Sequence, residues 1–567
     1  MKRTDKPSLI QTPSGITPQD ARWVTGITFV VISVLWIFFS VEEPLHIDEL
    51  RQLAGYGGGF GTWIAKSWEL NQPPLEIVLG GLWRTAFGAT DFAERLLPTL
   101  FGLGSLALIG RLAVVFSSSA FAAPIAILAY GLSPVILPTT AFIRPYAIPT
   151  FFALLYIIAV RRLLEKGARA GTVAFAGIAG LGLLATHALV PTVVAIAVLA
   201  ALVGRRLLTR RPDVGTAPAL AISAAVALLS LVAPVITRLK NPSFFDVRVE
   251  YSIGQRITDA IDAVWTSYSG AFGLAGIALL LVLLLLFTKT FRPAQGEVWW
   301  FVPLVAISPG ITAVFLATVA PGFSFFDRYF HDLLLPGALA AGLVGSRLVT
   351  TRWRNTRSRI PLIVGAATLV LYFVPTLVAF HEEVTTQENT DWASGAEMVI
   401  DNTEPGTLVL FEFMNGFPRY QPLFYGQPRY LPRSYPIRYP RLVVTAGHDI
   451  ESESIAVLLA GPARLDVDPP DWRIIDDGNW RLLIPPSELS NDTLAVLQTL
   501  DDEITDDRFD VAIRLSLAIE FARTGNFEAA RATLDAITPP DVADPQLRFE
   551  SYWESARDQI EELAKSA

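Results

Sequence analysis

Over 567 residues the chain is 52% hydrophobic with a mean hydropathy of +0.43, more apolar surface than one water-soluble core can use, so it reads as an integral membrane protein. The net charge of -8 averages two unlike parts: 15 Lys and Arg stand against 34 Asp and Glu after Phe380, and 30 against 19 before it. That distribution argues against nucleic acid as a partner and for lipid phosphates near the basic part, and the absence of cysteine excludes disulfide frameworks and thiolate metal sites.

The first apolar run, residues 23–41, is of span length and lacks a small-residue cleavage site, so it is expected to stay as a membrane helix rather than leave as a signal. Lys2, Arg3, Lys6 and Arg22 precede it and place the N-terminus, residues 1–22, in the cytoplasm. Asp48 and Glu49 then emerge just beyond the outer end of that span. Acidic residues at a membrane are costly and mark function more often than decoration.

The piece from Pro73 to Gly88, which contains Glu76 and Arg84, is short for a crossing. If it crossed, every later basic cluster would fall outside; if it lies in the interface as an amphipathic helix, every one falls inside. The second option gives spans at about 92–116, 120–138, 143–161, 172–186, 188–204, 217–237, 270–288, 298–320, 331–349 and 360–380, eleven with the first. The outer loops are then 42–91, 238–269 and 321–330, and all five histidines (His46, His187, His331, His381, His448) land on the outer side.

Several polar residues gather at that face. Arg144 opens the fourth span in T-A-F-I-R-P-Y-A, where a planar donor fork beside Tyr146 suits a phosphate at headgroup level; a snorkelling interfacial arginine is the plain alternative. The loop S-F-F-D-R-Y-F-H-D places Arg328 and Tyr329 at the mouth of the tenth span, where Arg328 is either a second phosphate ligand or the partner of Asp327. His187 lies in a tight turn between the fifth and sixth spans, where a lone histidine is more often a satisfied interfacial residue than a ligand. No H-E-x-x-H spacing supports a metal site and no strict D-x-D motif occurs in the outer loops of the membrane part, so chemistry without a cofactor or divalent metal is expected.

Five short motifs fall in one order: D-E (48–49), Q-P-P-L (72–75), E-R-L-L-P (94–98), R-P-Y-A (144–147) and R-Y-F (328–330). That order resembles the GT-C glycosyltransferases, and more narrowly the family of protein O-mannosyltransferases and of aminoarabinose transferases acting on lipid A, over roughly residues 20–350. Such enzymes move a sugar from a polyprenyl-phosphate donor to an acceptor hydroxyl on a lipid, glycan or protein at the outer face, usually with inversion. The resemblance implies that Asp48 is the general base toward the acceptor hydroxyl and that Glu49 assists it. It also implies that Arg144 and Arg328 neutralise the departing lipid phosphate, with Tyr146 and Tyr329 adding hydroxyl donors. Gln72 and His187 are further candidates for binding the donor. Gln72 departs from the family, which usually has His or Lys before P-P, and this points to a different sugar or acceptor.

After Thr390 apolar runs give way to alternation. Strands are expected at 407–413, 442–445, 455–461, 472–476 and 480–485, with a helix at 392–401, as an extracytoplasmic α/β domain over 381–500. Residues 501–567 read as helical, with one tetratricopeptide-type helix pair from Leu515 to Pro540. The fold class is therefore mainly α, a polytopic membrane domain over 23–380 followed by this α/β domain and helical segment. A lipid transporter or flippase is the rival, but it should carry ionisable residues near the bilayer midplane, whereas here they cluster at span ends; a non-catalytic scaffold leaves Asp48, Arg144 and Arg328 without a reason.

Overall fold

The computed structural model describes residues 17–42, 49, 52–53, 55–69, 73–133, 136–144, 146–186, 189–208, 215–230, 285, 334–350, 359–385, 392–404, 407–412, 437–438, 455–460, 471–476, 480–487, 492–503, 507–537 and 549–566. They divide into two units, Met1–Glu43 with Gly55–Gln387 and Pro44–Ala54 with Glu388–Ala567.

The described helices of the first unit are α1 (Pro18–Glu42), α2 (Phe60–Glu69), α3 (Pro74–Phe87), α4 (Asp91–Ser117), α5 (Ala122–Gly131), α6 (Ile136–Ala141), α7 (Ala147–Lys166), α8 (Ala170–Leu184), α9 (Leu189–Leu208), α10 (Thr216–Ser230), α11 (Leu334–Thr350) and α12 (Arg359–Thr385). Among the described residues three helices are long and apolar enough to cross a membrane: Gln19–Ser40, Asp91–Ser117 and Ala147–Lys166. The start of α1 is set by Thr17 and Asp20: Thr17 N donates to Asp20 Oδ2 at 2.6 Å and Asp20 N donates back to Thr17 Oγ1 at 3.2 Å. This is a reciprocal cap on the otherwise orphaned amides, with Pro18 in the first turn where no N–H is needed.

Along α1 the residues Trp23, Ile27, Val30, Val34 and Phe38 recur every three or four positions, and each is more than half exposed. On the opposite side Ile32, Trp36 and Phe39 are buried in the helical core with Leu106, Ile109, Tyr130 and Leu154. A contiguous exposed apolar stripe of this length is the surface that lipid covers. Inside lipid, burial supplies little drive for helices to associate, so close packing and interhelical hydrogen bonds must do so. Both are present. Trp36 Nε1 donates to Gly131 O at 2.9 Å, Ser40 and Thr99 share a hydroxyl hydrogen bond at 2.9 Å, and Tyr372 Oη donates to Ala129 O at 2.7 Å. A Cβ at Gly342 would lie 2.7 Å from Ala122 O, so α11 approaches the backbone of α5 as closely as only glycine allows.

The run expected to be one span at 120–138 is two helices, α5 and α6, parted by a turn at Leu132 and Ser133. The sequence G-L-S-P at 131–134 supplies the reason, since a proline disfavours the helical conformation of the residue before it and a preceding glycine weakens the end. The expected fourth span, 143–161, begins later and ends later, at Ala147–Lys166, because Pro145 stands in the way. The expected spans at 270–288 and 298–320 lie outside the described residues. The piece 73–88 holds a separate 14-residue helix, α3.

The second unit carries α13 (Trp392–Asn402) and a mixed five-stranded sheet of β1 (Leu408–Glu412), β2 (Ile437–Arg438), β3 (Ile455–Ala460), β4 (Arg473–Asp476) and β5 (Trp480–Ile484) in the order β2-β1-β3-β5-β4. β1 pairs in parallel with both β2 and β3, and β5 pairs antiparallel with β3 and β4. β2 falls in a Tyr- and Pro-rich stretch outside the five expected strands, and the expected strand 442–445 lies outside the described residues. The helices α14 (Thr493–Glu503), α15 (Asp507–Arg523), α16 (Phe527–Ala536) and α17 (Phe549–Ser566) follow. The pair α15–α16 turns at Thr524 and Gly525, with Asn526 capping α16 through Ala529 N at 3.2 Å. Ala556 and Ile560 of α17 close the core formed by Leu515, Ile519, Ala522, Ala530 and Leu534, so this hairpin already has a third helix on it.

Candidate functional site

Of the sequence motifs, Q-P-P-L sets the local geometry. Pro73 and Pro74 have no N–H, so Leu75 is the first residue of α3 able to donate, and its amide reaches Ala185 O at 3.1 Å. That bond joins the chain just after Gln72 to the chain just before His187. One turn into α3, Glu76 is buried at 2% exposure together with Ile77, Gly80 and Gly81. The glycines admit aromatic rings: a Cβ at Gly80 would run into the ring of Tyr56, and Trp63 covers Gly81. Trp63 in turn donates from Nε1 to Tyr56 O at 3.0 Å.

E-R-L-L-P opens α4, where Thr90 caps the helix by accepting from Ala93 N at 3.2 Å. Its Glu94 is buried and paired with the guanidinium of Arg84 at the end of α3, while Trp83 Nε1 donates to Ala93 O at 2.6 Å. The Arg84 guanidinium also lies 5.6 Å from the centroid of the Tyr56 ring. This ion pair and indole bond clamp α3 onto the start of α4, which gives the motif a structural purpose.

R-P-Y-A forms the entry to α7. Successive tight turns, with Arg144 N donating to Phe142 O and Tyr146 N to Arg144 O, both at 2.7 Å, hold Arg144 ahead of the helix. The Tyr146 ring is buried and stacks on Phe142 at 6.3 Å. Arg144 and Glu76 interact electrostatically. Burial raises the Glu76 carboxyl from its ordinary 4.5 to about 8, and the Arg144 cation opposes that rise without cancelling it. At neutral pH the carboxyl is therefore mostly protonated, and the positive charge of Arg144 is not cancelled by it. Glu76 Oε2 is buried and has no hydrogen-bond partner among the described residues.

The structure thus brings Arg144, Tyr146 and Glu76 to one end of the helical unit. Glu49 is fully buried, in the segment that groups with the second unit, and near it in sequence Gln52 is fully buried with neither amide atom partnered among the described residues. Asp48, Gln72, His187, Arg328 and Tyr329 lie outside the described residues. Among the described residues there is no group of three or more His, Asp or Glu that would hold a metal ion. Glu76 is the residue that sequence reasoning passed over. Its signal was a lone carboxylate in an otherwise apolar turn, L-E-I-V-L, at a membrane boundary.

No family model and no curated protein matches the chain. Among solved structures it is similar to ArnT from Cupriavidus metallidurans in the apo state, at 15% identity and a TM-score of 0.47, covering 83% of this chain and 99% of that one. The same protein bound to undecaprenyl phosphate gives a TM-score of 0.46 at 15% identity over the same shares. The Archaeoglobus fulgidus oligosaccharyltransferase in complex with Zn and sulfate is similar at 11% identity and a TM-score of 0.44, covering 93% of this chain and 85% of that one. ArnT and this oligosaccharyltransferase are both GT-C glycosyltransferases, the group that the motifs resemble.

Proposed function

We propose that the chain is a membrane glycosyltransferase that takes a sugar from a polyprenyl-phosphate donor and passes it to an acceptor hydroxyl at the outer face of the membrane. The observation that carries this reading is the assembly of three of the five ordered motifs at one end of the helical unit, with Arg144 set against a carboxyl that burial keeps protonated. Arg144 puts a guanidinium where a lipid phosphate would arrive. A guanidinium fork then stabilises the phosphate dianion that develops as the glycosidic bond breaks, an effect strongest in a dry site.

On this reading Asp48 is the base that takes the acceptor proton, Glu49 supports it, and Arg328, Tyr146 and Tyr329 complete the phosphate cradle, with Gln72 and His187 as further donor-binding residues. The N-terminus is cytoplasmic and the second unit extracytoplasmic. The donor's leaving group is already a phosphate, so a metal is not required to make it depart. The test is transfer by the purified full chain from a panel of polyprenyl-phosphate sugars, with Asp48→Asn beside the wild type. Transfer by the wild type and its loss in the variant are expected; full turnover by Asp48→Asn would remove the base assignment, and no transfer from any donor would remove the reaction.

A further inference from the structure

The helices that begin at the Glu76–Arg144 end also meet at their other end. α7 has 20 residues, so at 1.5 Å per residue it is about 30 Å long, the thickness of a bilayer's hydrocarbon. Arg144 and Tyr146 stand at its start, and its last two turns carry Arg161, Arg162 and Lys166. There α7 and the last turns of α4 enclose a cavity of about 150 Å³, well above the ~10–15 Å³ needed to hold one water.

The cavity is lined by four cations, Arg111, Arg161, Arg162 and Lys166, against one carboxylate, Glu165, and its remaining wall is apolar, including Val115. Glu165 is engaged with Arg161 at 2.6 Å, and Arg162 is steered by Phe175, whose ring centroid is 5.5 Å from the guanidinium carbon. Basic residues near helix C-termini answer the carbonyl ends of the helices and report topology, which accounts for a scatter of such charges. It does not account for cations from two different helices turned around one shared hollow. Four positive side chains with one negative one leave a net positive cavity at headgroup depth, next to apolar wall and lipid-facing helices.

We propose that this cavity is a binding site for the phosphate of an anionic phospholipid of the leaflet opposite the transferase end. The guanidiniums of Arg111 and Arg162 offer planar donor forks to the phosphate oxygens, and the apolar wall takes the first carbons of the lipid. The site stands independently of the reaction proposed for the other face.

The test uses the full chain in nanodiscs of phosphatidylcholine doped with phosphatidylglycerol, with the retained lipid read by native mass spectrometry. Wild type should retain phosphatidylglycerol at least 5-fold over its share of the bilayer. Arg111→Gln with Arg162→Gln should bring retention down to that share, whereas Arg205→Gln with Arg206→Gln, which removes equal charge near the end of α9, should leave it unchanged. Val115→Trp keeps every charge but fills the hollow, and it should abolish retention even if the double arginine variant does not fold. Equal loss in the α9 control, or full retention in Val115→Trp, would show a general basic belt and overturn the site. Displacement of the lipid by millimolar inorganic phosphate would show a free-anion site and overturn the lipid assignment.

Discussion

Replacing Glu76 by Gln tests the proposition that burial holds this carboxyl protonated. The folded-state value of about 8 lies above the ordinary 4.5, so between these values the folded chain binds more protons than the unfolded one and stability falls as pH rises. The contribution is fully present below pH 4.5 and lost by the time pH has passed 8. From pH 6 to pH 9, with each pH unit worth 1.36 kcal/mol while the folded group stays protonated, the wild type should lose about 2.5 kcal/mol. Glu76→Gln keeps the shape, cannot ionise, and should lack that slope. The assay is thermal unfolding of the purified chain in detergent, followed by tryptophan fluorescence at pH 6, 7, 8 and 9. The wild-type midpoint should drop across the series and the variant midpoint should stay level once the pH dependence common to both is subtracted. Parallel curves for the two proteins would refute the reasoning, because the steep pH dependence would then belong to another group.

Arg144→Gln should lower transfer about 10²-fold or more by removing charge stabilisation from the departing phosphate, measured as single-turnover rate at saturating donor. Arg84→Ala leaves Glu94 buried without its cation and should cost about 3 kcal/mol, read as a lowered unfolding midpoint that Arg84→Lys partly restores. Gly80→Ala forces a methyl into the Tyr56 ring and should destabilise by about 1–3 kcal/mol, with Tyr56→Ala relieving part of the penalty in the double variant.

Periodicity and composition made much of the helical unit legible. The run 92–116 is readable from its apolar length and is matched to within a residue by Asp91–Ser117, and the short piece 73–88 is matched by the 14-residue helix α3. The break between Gly131 and Ile136 was hidden because hydropathy averages over a turn that only G-L-S-P betrays. Arg144 was legible as a candidate because a cation beside proline at a span's start is conspicuous. Glu76 was not, since a carboxylate in an interfacial helix looks solvated until the structure shows Tyr56 and Trp63 packed over the adjacent Gly80 and Gly81 of the same helix. The motif E-R-L-L-P drew notice for its place in a series, yet its Glu94 serves a clamp with Arg84 that no spacing in the sequence announces.

The hydrogen bond from the Leu75 amide to the Ala185 carbonyl ties the start of α3 to the chain just after α8, 110 residues further on. Pro73 and Pro74 have no amide to give, so Leu75 carries the first donor that α3 has. A movement that swings α3 aside must therefore either carry the end of α8 with it or break that hydrogen bond.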